Sequence, residues 1–192
     1  GDIKSKHSEE VLMAHTTSVG GMYQIIGGEP VIKLGYAHSS LGDLLKEKQF
    51  YANELTIHYS TKNDKGEWSK PVPVPFNNDN YNVTHPFYDE KNKVLYFASD
   101  MPGGLGGMDI YRANFDGKKF GDKEQVRYVN SKGHDCFPLM FDNKLYFTSN
   151  AFTTMGGYDL FVMENFEVKN MGDKFNSKYD DLAIMFNDKK SG

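Results

Sequence analysis

The sequence predicts an all-β fold, and three observations predict it. Aromatic residues make up 14% of the 192 positions, with 14 Phe and 12 Tyr beside 19 Gly, a mixture that suits strands and turns better than helix bundles. Two stretches repeat each other. In "KVLYFASDMPGGLGGMDIY" and "NKLYFTSNAFTTMGGYDLF", the residues Leu95, Tyr96, Phe97, Ser99, Gly106, Gly107 and Asp109 recur 50 positions later as Leu145, Tyr146, Phe147, Ser149, Gly156, Gly157 and Asp159. Finally, no helical segment separates the short apolar runs, so consecutive strands pair as antiparallel hairpins, without the long crossovers that parallel pairing needs.

The elements follow in order. The first full copy reads as "HPFYDE", "VLYFASD", "MDIYRANF" and a weaker "EQVRYV"; the second gives "FPLMFD", "KLYFTSN" and "YDLFVMEN". Four short strands in about 40 to 50 residues, separated by glycine turns, are the signature of a propeller blade. Upstream, Asn78 and Pro86 recur as Asn130 and Pro138 at a spacing of 52, so the turn before the Leu-Tyr-Phe strand shortens by two residues. An earlier partial copy places Trp68 in line with Phe120, and a later one starts at "NSKYDDLAIMFNDKKSG", where Asn176 and Ser177 echo Asn130 and Ser131. Residues 1–192 are therefore expected to form a single propeller-like domain of four-stranded antiparallel blades. Residues 54–192 carry recognisable repeats. Residues 1–53 are a divergent first blade, with "EVLMAHTTS" as a strand and "GYAHSSLGDLLKEKQFYAN" as a long insertion. The count of three and a half to four blades leaves two readings: a fragment of a larger propeller, or about four blades closed by a composite of N- and C-terminal strands.

Charge and cysteine content narrow the function. Lys+Arg 22 against Asp+Glu 26 gives a net charge of -4, so no general attraction to nucleic acid or anionic lipid is expected. Cys136 is the only cysteine, which excludes an intrachain disulfide or a multi-cysteine zinc site, and it reads as a buried structural thiol. No apolar run approaches the ~20 residues that span a bilayer, and "GDIKSKHSEE" has no signal-peptide core, so the chain is not expected to insert into a membrane.

The glycines of "GGLGGMDIY" do not read as a phosphate cradle. A dinucleotide fingerprint needs a helix after its glycines, and here a strand follows. The second copy keeps Gly156, Gly157 and Asp159 but not the counterparts of Gly103 and Gly104, so Gly-Gly-x-Asp is the structural unit. The expectation is a tight turn in which glycine supplies positive φ and Asp109 or Asp159 accepts hydrogen bonds from nearby backbone donors. Calcium ligation by these aspartates is the open alternative, although one carboxylate per turn is a thin site. Residues His7, His15, His38, His58, His85 and His134 lack metal-ligand spacing. No Gly-x-Ser-x-Gly elbow is present, and the adjacent pairs Glu9–Glu10 and Asp180–Asp181 do not read as acid–base couples; the latter reads as a solvated turn. Trp68 reads as a core plug, with a sugar platform as the alternative. No catalytic, cofactor-binding or metal residue is assigned.

"LYFASDMPGGLGGMDIY" and "LYFTSNAFTTMGGYDLF", each after an Asn-rich turn and a Pro strand, resemble the WD-like, TolB-type β-propeller repeats of bacterial envelope proteins. The likeness is in particular to periplasmic propellers of OmpA-family, peptidoglycan-associated lipoproteins, including the envelope component of the type IX secretion system. It covers about residues 54–192. The resemblance implies a periplasmic or outer-membrane-associated, non-catalytic scaffold that binds an envelope protein. A carbohydrate-binding or glycan-cleaving propeller is the alternative. The variable stretches "ASDMPGG" and "TSNAFTT" are the candidate partner-binding loops, with Met101 and Phe152 as their apolar tips.

Overall fold

A computed structural model of the chain describes the backbone of residues 10–15, 19–26 and 29–37, and residues 55–186 apart from 62–64, 66 and 68. The described residues form strands and turns with no helix, and among them no helix is long and apolar enough to cross a membrane. The chain divides into two compact units, residues 1–82 with 185–192 and residues 83–184.

The first unit carries one five-stranded antiparallel meander: β1 (Glu10–His15), β2 (Val19–Ile26), β3 (Glu29–Ala37), β4 (Thr56–Thr61) and β5 (Val72–Pro73), in that spatial order. Residues 35–37, which the sequence assigns to an insertion, end β3 and pair with β4 through Tyr36↔Ile57 and Ala37↔Thr56. The apolar residues of β2 and β3 do not echo the repeat of residues 54–192, so that repeat does not mark them as strands. Trp68 lies outside the described residues.

The second unit holds two four-stranded antiparallel sheets. One is β6 (Val83–Asp89), β7 (Val94–Ser99), β8 (Asp109–Asn114) and β9 (Glu124–Gln125); the other is β10 (Asp135–Phe141), β11 (Lys144–Ser149), β12 (Asp159–Glu164) and β13 (Glu167–Asn170). Their registers match: Phe87↔Tyr96↔Arg112 in one sheet corresponds to Leu139↔Tyr146↔Val162 in the other. Two-residue turns close the hairpins of the second sheet. Asp142 and Asn143, and again Asn165 and Phe166, have φ between 50° and 65°, which is the backbone twist such turns require. In the first sheet the turn of residues 90–93 replaces Asp142–Asn143, which accounts for the two-residue shortening seen in the sequence.

Both first strands carry the same bulge. The register slips between Thr84 and Phe87 and between Cys136 and Leu139, with His85 at φ 48° and Phe137 at φ 51°. Each is followed by a proline, which has no N–H to give to the ladder, so the bulge sits where pairing is already broken. The two rings stack with centroids 3.8 Å apart.

The sheets stack front to back. Val94, Tyr96 and Ile110 of the first sheet meet Leu145, Phe147 and Phe161 of the second in one buried cluster. Cross-strand pairing puts Val94, Tyr96 and Ile110 on one face, whereas Leu145, Phe147 and Phe161 occupy the positions of Leu95, Phe97 and Tyr111, on the opposite face of the repeat. Unlike faces therefore meet, as in an array whose units each contact the next. Two readings are corrected. The "EQVRYV" strand is only Glu124–Gln125, because Val126 turns in to the core; Glu167–Asn170 is a strand the sequence reading did not assign.

Candidate functional site

Near their starts, β8, β12 and β4 each meet the segment that follows the last strand of their sheet, and an asparagine amide makes that junction. Asn130 Oδ1 accepts the Ile110 N–H at 2.6 Å while its Nδ2 donates to the Ile110 carbonyl at 2.9 Å. Asn176 makes the same pair of bonds with Leu160 at 2.7 and 3.0 Å, and Asn77 with Ile57 at 3.0 and 2.7 Å. The three carbonyls also each accept a backbone N–H, from Val126, Met171 and Val74. A side-chain amide thus continues the ladder where the backbone has turned away, and both backbone polar groups of Ile110, Leu160 and Ile57 are paired. The sequence had matched Asn78 to Asn130. The hydrogen bonds equate Asn77 with Asn130, because the following turn is one residue longer in the earlier copy; Asn78 instead accepts the Asn80 N–H.

The Gly-Gly-x-Asp turns close the other side of the junctions. Asp109 Oδ2 accepts the N–H groups of Leu105 and Gly106; Asp159 accepts those of Met155 and Gly156. The glycines do not supply positive φ, which belongs to Gly103, Gly117 and Gly172. They are needed for close approach. A Cβ on Gly106 would collide with the Gly133 carbonyl, and one on Gly156 with the Tyr179 carbonyl. A Cβ on Gly107 would strike the His134 ring, and one on Gly157 the Asp180 carboxylate. The next segment lies directly over the turn: Gly107 N–H donates to the Gly133 carbonyl, Asp135 N–H to the Met108 carbonyl, and Asp181 N–H to the Tyr158 carbonyl. His134 Nδ1 accepts the Met108 N–H at 3.2 Å, the part that Asp180 Oδ1 plays for Tyr158 at 3.0 Å. Asp180 and Asp181 therefore fasten a junction beyond merely solvating a turn.

The junction segments carry a second acidic residue. Asp135 accepts the Ser131 N–H and hydroxyl on Oδ2, and Asp181 accepts the Ser177 N–H on Oδ2 and its hydroxyl on Oδ1. Burial pushes the Asp135 carboxyl above its usual range, against the hydrogen bonds from Ser149 and Ser131 that favour its charged form; the Asp109 charge adds to the rise. Burial likewise raises the Cys136 thiol to about 12, as suits an inert interior residue. The Asn-Ser-Lys-x-x-Asp pattern at 130–135 and 176–181 was the signal for these residues, of which the sequence reading used only the first two.

The predicted apolar tips sit elsewhere. Met101 is only 6% exposed, so it is not the exposed tip expected of it, and its N–H donates to the Ser99 hydroxyl. Phe152 packs against Phe147 and Phe161. Among the apolar side chains that reach solvent, Leu105 and Met155, at 64% and 50% exposure, stand directly before the two Gly-Gly pairs, and Tyr179, at 68%, lies on the segment that covers Gly156. Among the described residues, no three or more His, Cys, Asp or Glu side chains are grouped to hold a metal ion. No family model matches the sequence, and no curated protein matches it.

Proposed function

We propose that this chain is a non-catalytic protein-binding scaffold of the bacterial cell envelope, built of TolB-type propeller repeats, which binds an envelope protein through the loops that precede its Gly-Gly-x-Asp turns. One observation carries the reading. The repeated Asn and Asp side chains are taken up by internal bonds at the junctions and the repeated glycines by close approach of the next segment, while Leu105 and Met155, on loops of different sequence, point apolar groups into solvent. A repeated frame with variable, apolar tips suits recognition of a protein surface more than turnover of a small substrate. Front-to-back stacking of sheets of matched register supports the propeller form of the proposal. The periplasmic or outer-membrane location rests on the resemblance of the repeats alone.

The test is capture from envelope extracts, identification of the captured protein, and calorimetry with that protein purified. Leu105→Asp with Met155→Asp is expected to weaken binding by about tenfold or more, with the thermal midpoint unchanged. Unaltered affinity in the double variant, or glycan hydrolysis by the purified chain that one carboxylate substitution abolishes, overturns the reading.

A further inference from the structure

Two aromatic side chains stand at the surface where the repeated frame needs neither. Phe166, at 75% exposure, is the most exposed large apolar side chain among the described residues, and Tyr128 is 58% exposed. Counted back from the junction asparagines, Tyr128 corresponds to Lys174, and the Asn165–Phe166 turn is replaced in the first sheet by the longer connection of residues 115–123, so neither ring recurs. Yet the rings meet. Tyr128, just after β9, and Phe166, between β12 and β13, come from successive repeats and lie edge to face, with centroids 5.7 Å apart at 62°. Both sit in strained backbone. Tyr128 has φ 73° and Phe166 φ 65°, a region that bulky side chains avoid, and the second position of a two-residue hairpin turn is where glycine serves without strain. Folding gains little from large rings left in water, so their presence at strained positions points to something outside the chain that covers them.

The surroundings narrow what covers them. Arg127, Asn165 and Glu167, next to the rings in the chain, are all exposed, and the carboxylates on either side of the turn are ion-paired, Glu164 with Lys144 and Glu167 with Lys169, each at 3.2 Å. A protein surface laid over the rings would strip water from these charges, which is why charged groups are depleted at the centre of protein interfaces. A sugar leaves them hydrogen-bonded. We propose that Tyr128 and Phe166 bind a neutral pyranose ring of an oligosaccharide without cleaving it. The apolar C–H face of the sugar lies against the aromatic faces, and the hydroxyls on its rim exchange hydrogen bonds with the polar side chains of Arg127, Asn165 and Glu167. The site uses none of the residues assigned to protein binding, and it does not rest on that reading.

The probes are chitotetraose, cellotetraose and maltotetraose, titrated into the full chain by calorimetry, with saturation-transfer NMR to show which sugar protons touch the aromatic rings. Binding of at least one probe with a Kd of about 1 mM or tighter is expected, with transfer strongest at the ring C–H protons. Phe166→Gly is expected to weaken binding by about tenfold or more while keeping or raising the thermal midpoint, because glycine takes φ 65° without strain. Tyr128→Ala should weaken it to a similar degree. Leu105→Asp with Met155→Asp should leave sugar binding unchanged, which tells failure of this site from failure of the protein-binding reading. Binding of none of the three probes, or equal binding by Phe166→Gly, overturns the proposal. So does the loss, in Phe166→Gly, of a protein captured from envelope extracts when no probe binds, since the rings then belong to a protein surface.

Discussion

The sheets β6–β9 and β10–β13 share strands, registers and turns, yet the same residues lie in different surroundings. All six residues of β7 are buried, whereas β11 buries Leu145 and Phe147 and leaves Tyr146 between them half-buried. Tyr96 and Tyr146, identical and 50 positions apart, are therefore not energetically equivalent. Local sequence sets the strand and its register; burial of a face depends on what stacks on it. Because the sheets pack front to back, the face of β10–β13 that meets its neighbour is the Phe147 face, and the Tyr146 face is the outer one within this unit.

The largest effects should expose this difference. Tyr96→Ala is expected to cost about 3–4 kcal/mol, close to the cost of emptying any large aromatic site in a core, and Tyr146→Ala about 1 kcal/mol. Phe97→Ala and Phe147→Ala, both fully buried, should fall together at about 3–5 kcal/mol. Urea unfolding of the four variants checks the ranking, and equal costs for the two tyrosines would break the comparison.

Next come the junction amides. Asn176→Ala leaves the Leu160 N–H without its acceptor and also removes the 2.8 Å bond to Asn170 Oδ1, while Asn170 in turn donates to Asp159. Asn130→Ala disturbs only the pair with Ile110 among the bonds described for it. Stability losses of about 3 and about 2 kcal/mol are expected, from the cost of an unmade bond at a buried donor. A double-mutant cycle between Asn176 and Asn170 should give a coupling of about 1 kcal/mol, as for members of one network. No coupling would mean that the two junctions are held alike.

These amides also mark how far the sequence could be read. The Leu-Tyr-Phe strand and Gly-Gly-x-Asp were legible because identical residues recurred at one spacing, and the antiparallel sheets followed. The role of the glycines was not, since collision with the carbonyls of Gly133 or Tyr179 depends on a segment more than 20 residues away in the chain. Asn77 was missed by one position because a turn of different length follows it, and counting residues cannot locate an added one. The burial of Met101 was illegible for a different reason. Its neighbours Pro102 and Gly103 look like a solvent loop, but its N–H bond to Ser99 turns the side chain inward.

A pH-dependent contrast lies at the matched bulges. His85 occupies the position of Phe137, and burial lowers its pKa from 6.5 to about 4. Its Nδ1 has no partner, consistent with a neutral ring stacked on Phe137. The unfolded chain takes up a proton near pH 6.5 and the folded chain does not until near pH 4, so stability is complete above this window and falls as pH drops through it. At about 1.4 kcal/mol per pH unit, a loss of about 2–3 kcal/mol is expected across the window. His85→Phe makes the two bulges alike and should flatten the profile; an unchanged acid slope would assign it to other groups.

The smallest effect is expected at the outer edges. In the first sheet Arg112 pairs with Glu124 across β8 and β9 at 2.7 Å; the same row of the second sheet holds Val162 and Lys169, with no ion pair between them. Both partners of the first pair are about half exposed, so water and salt screen the attraction and ordering two long side chains offsets part of it. Glu124→Gln keeps the shape of the side chain and should cost no more than about 0.5 kcal/mol, falling to nothing in ~0.5 M salt. The short β9 edge is then held by Val126, whose N–H donates to the Ile110 carbonyl and whose side chain enters the core. Should Glu124→Gln cost more than about 1.5 kcal/mol in thermal unfolding, the ion pair would be what holds β9, and the two sheets would differ in how their edges are secured as well as in how their faces are covered.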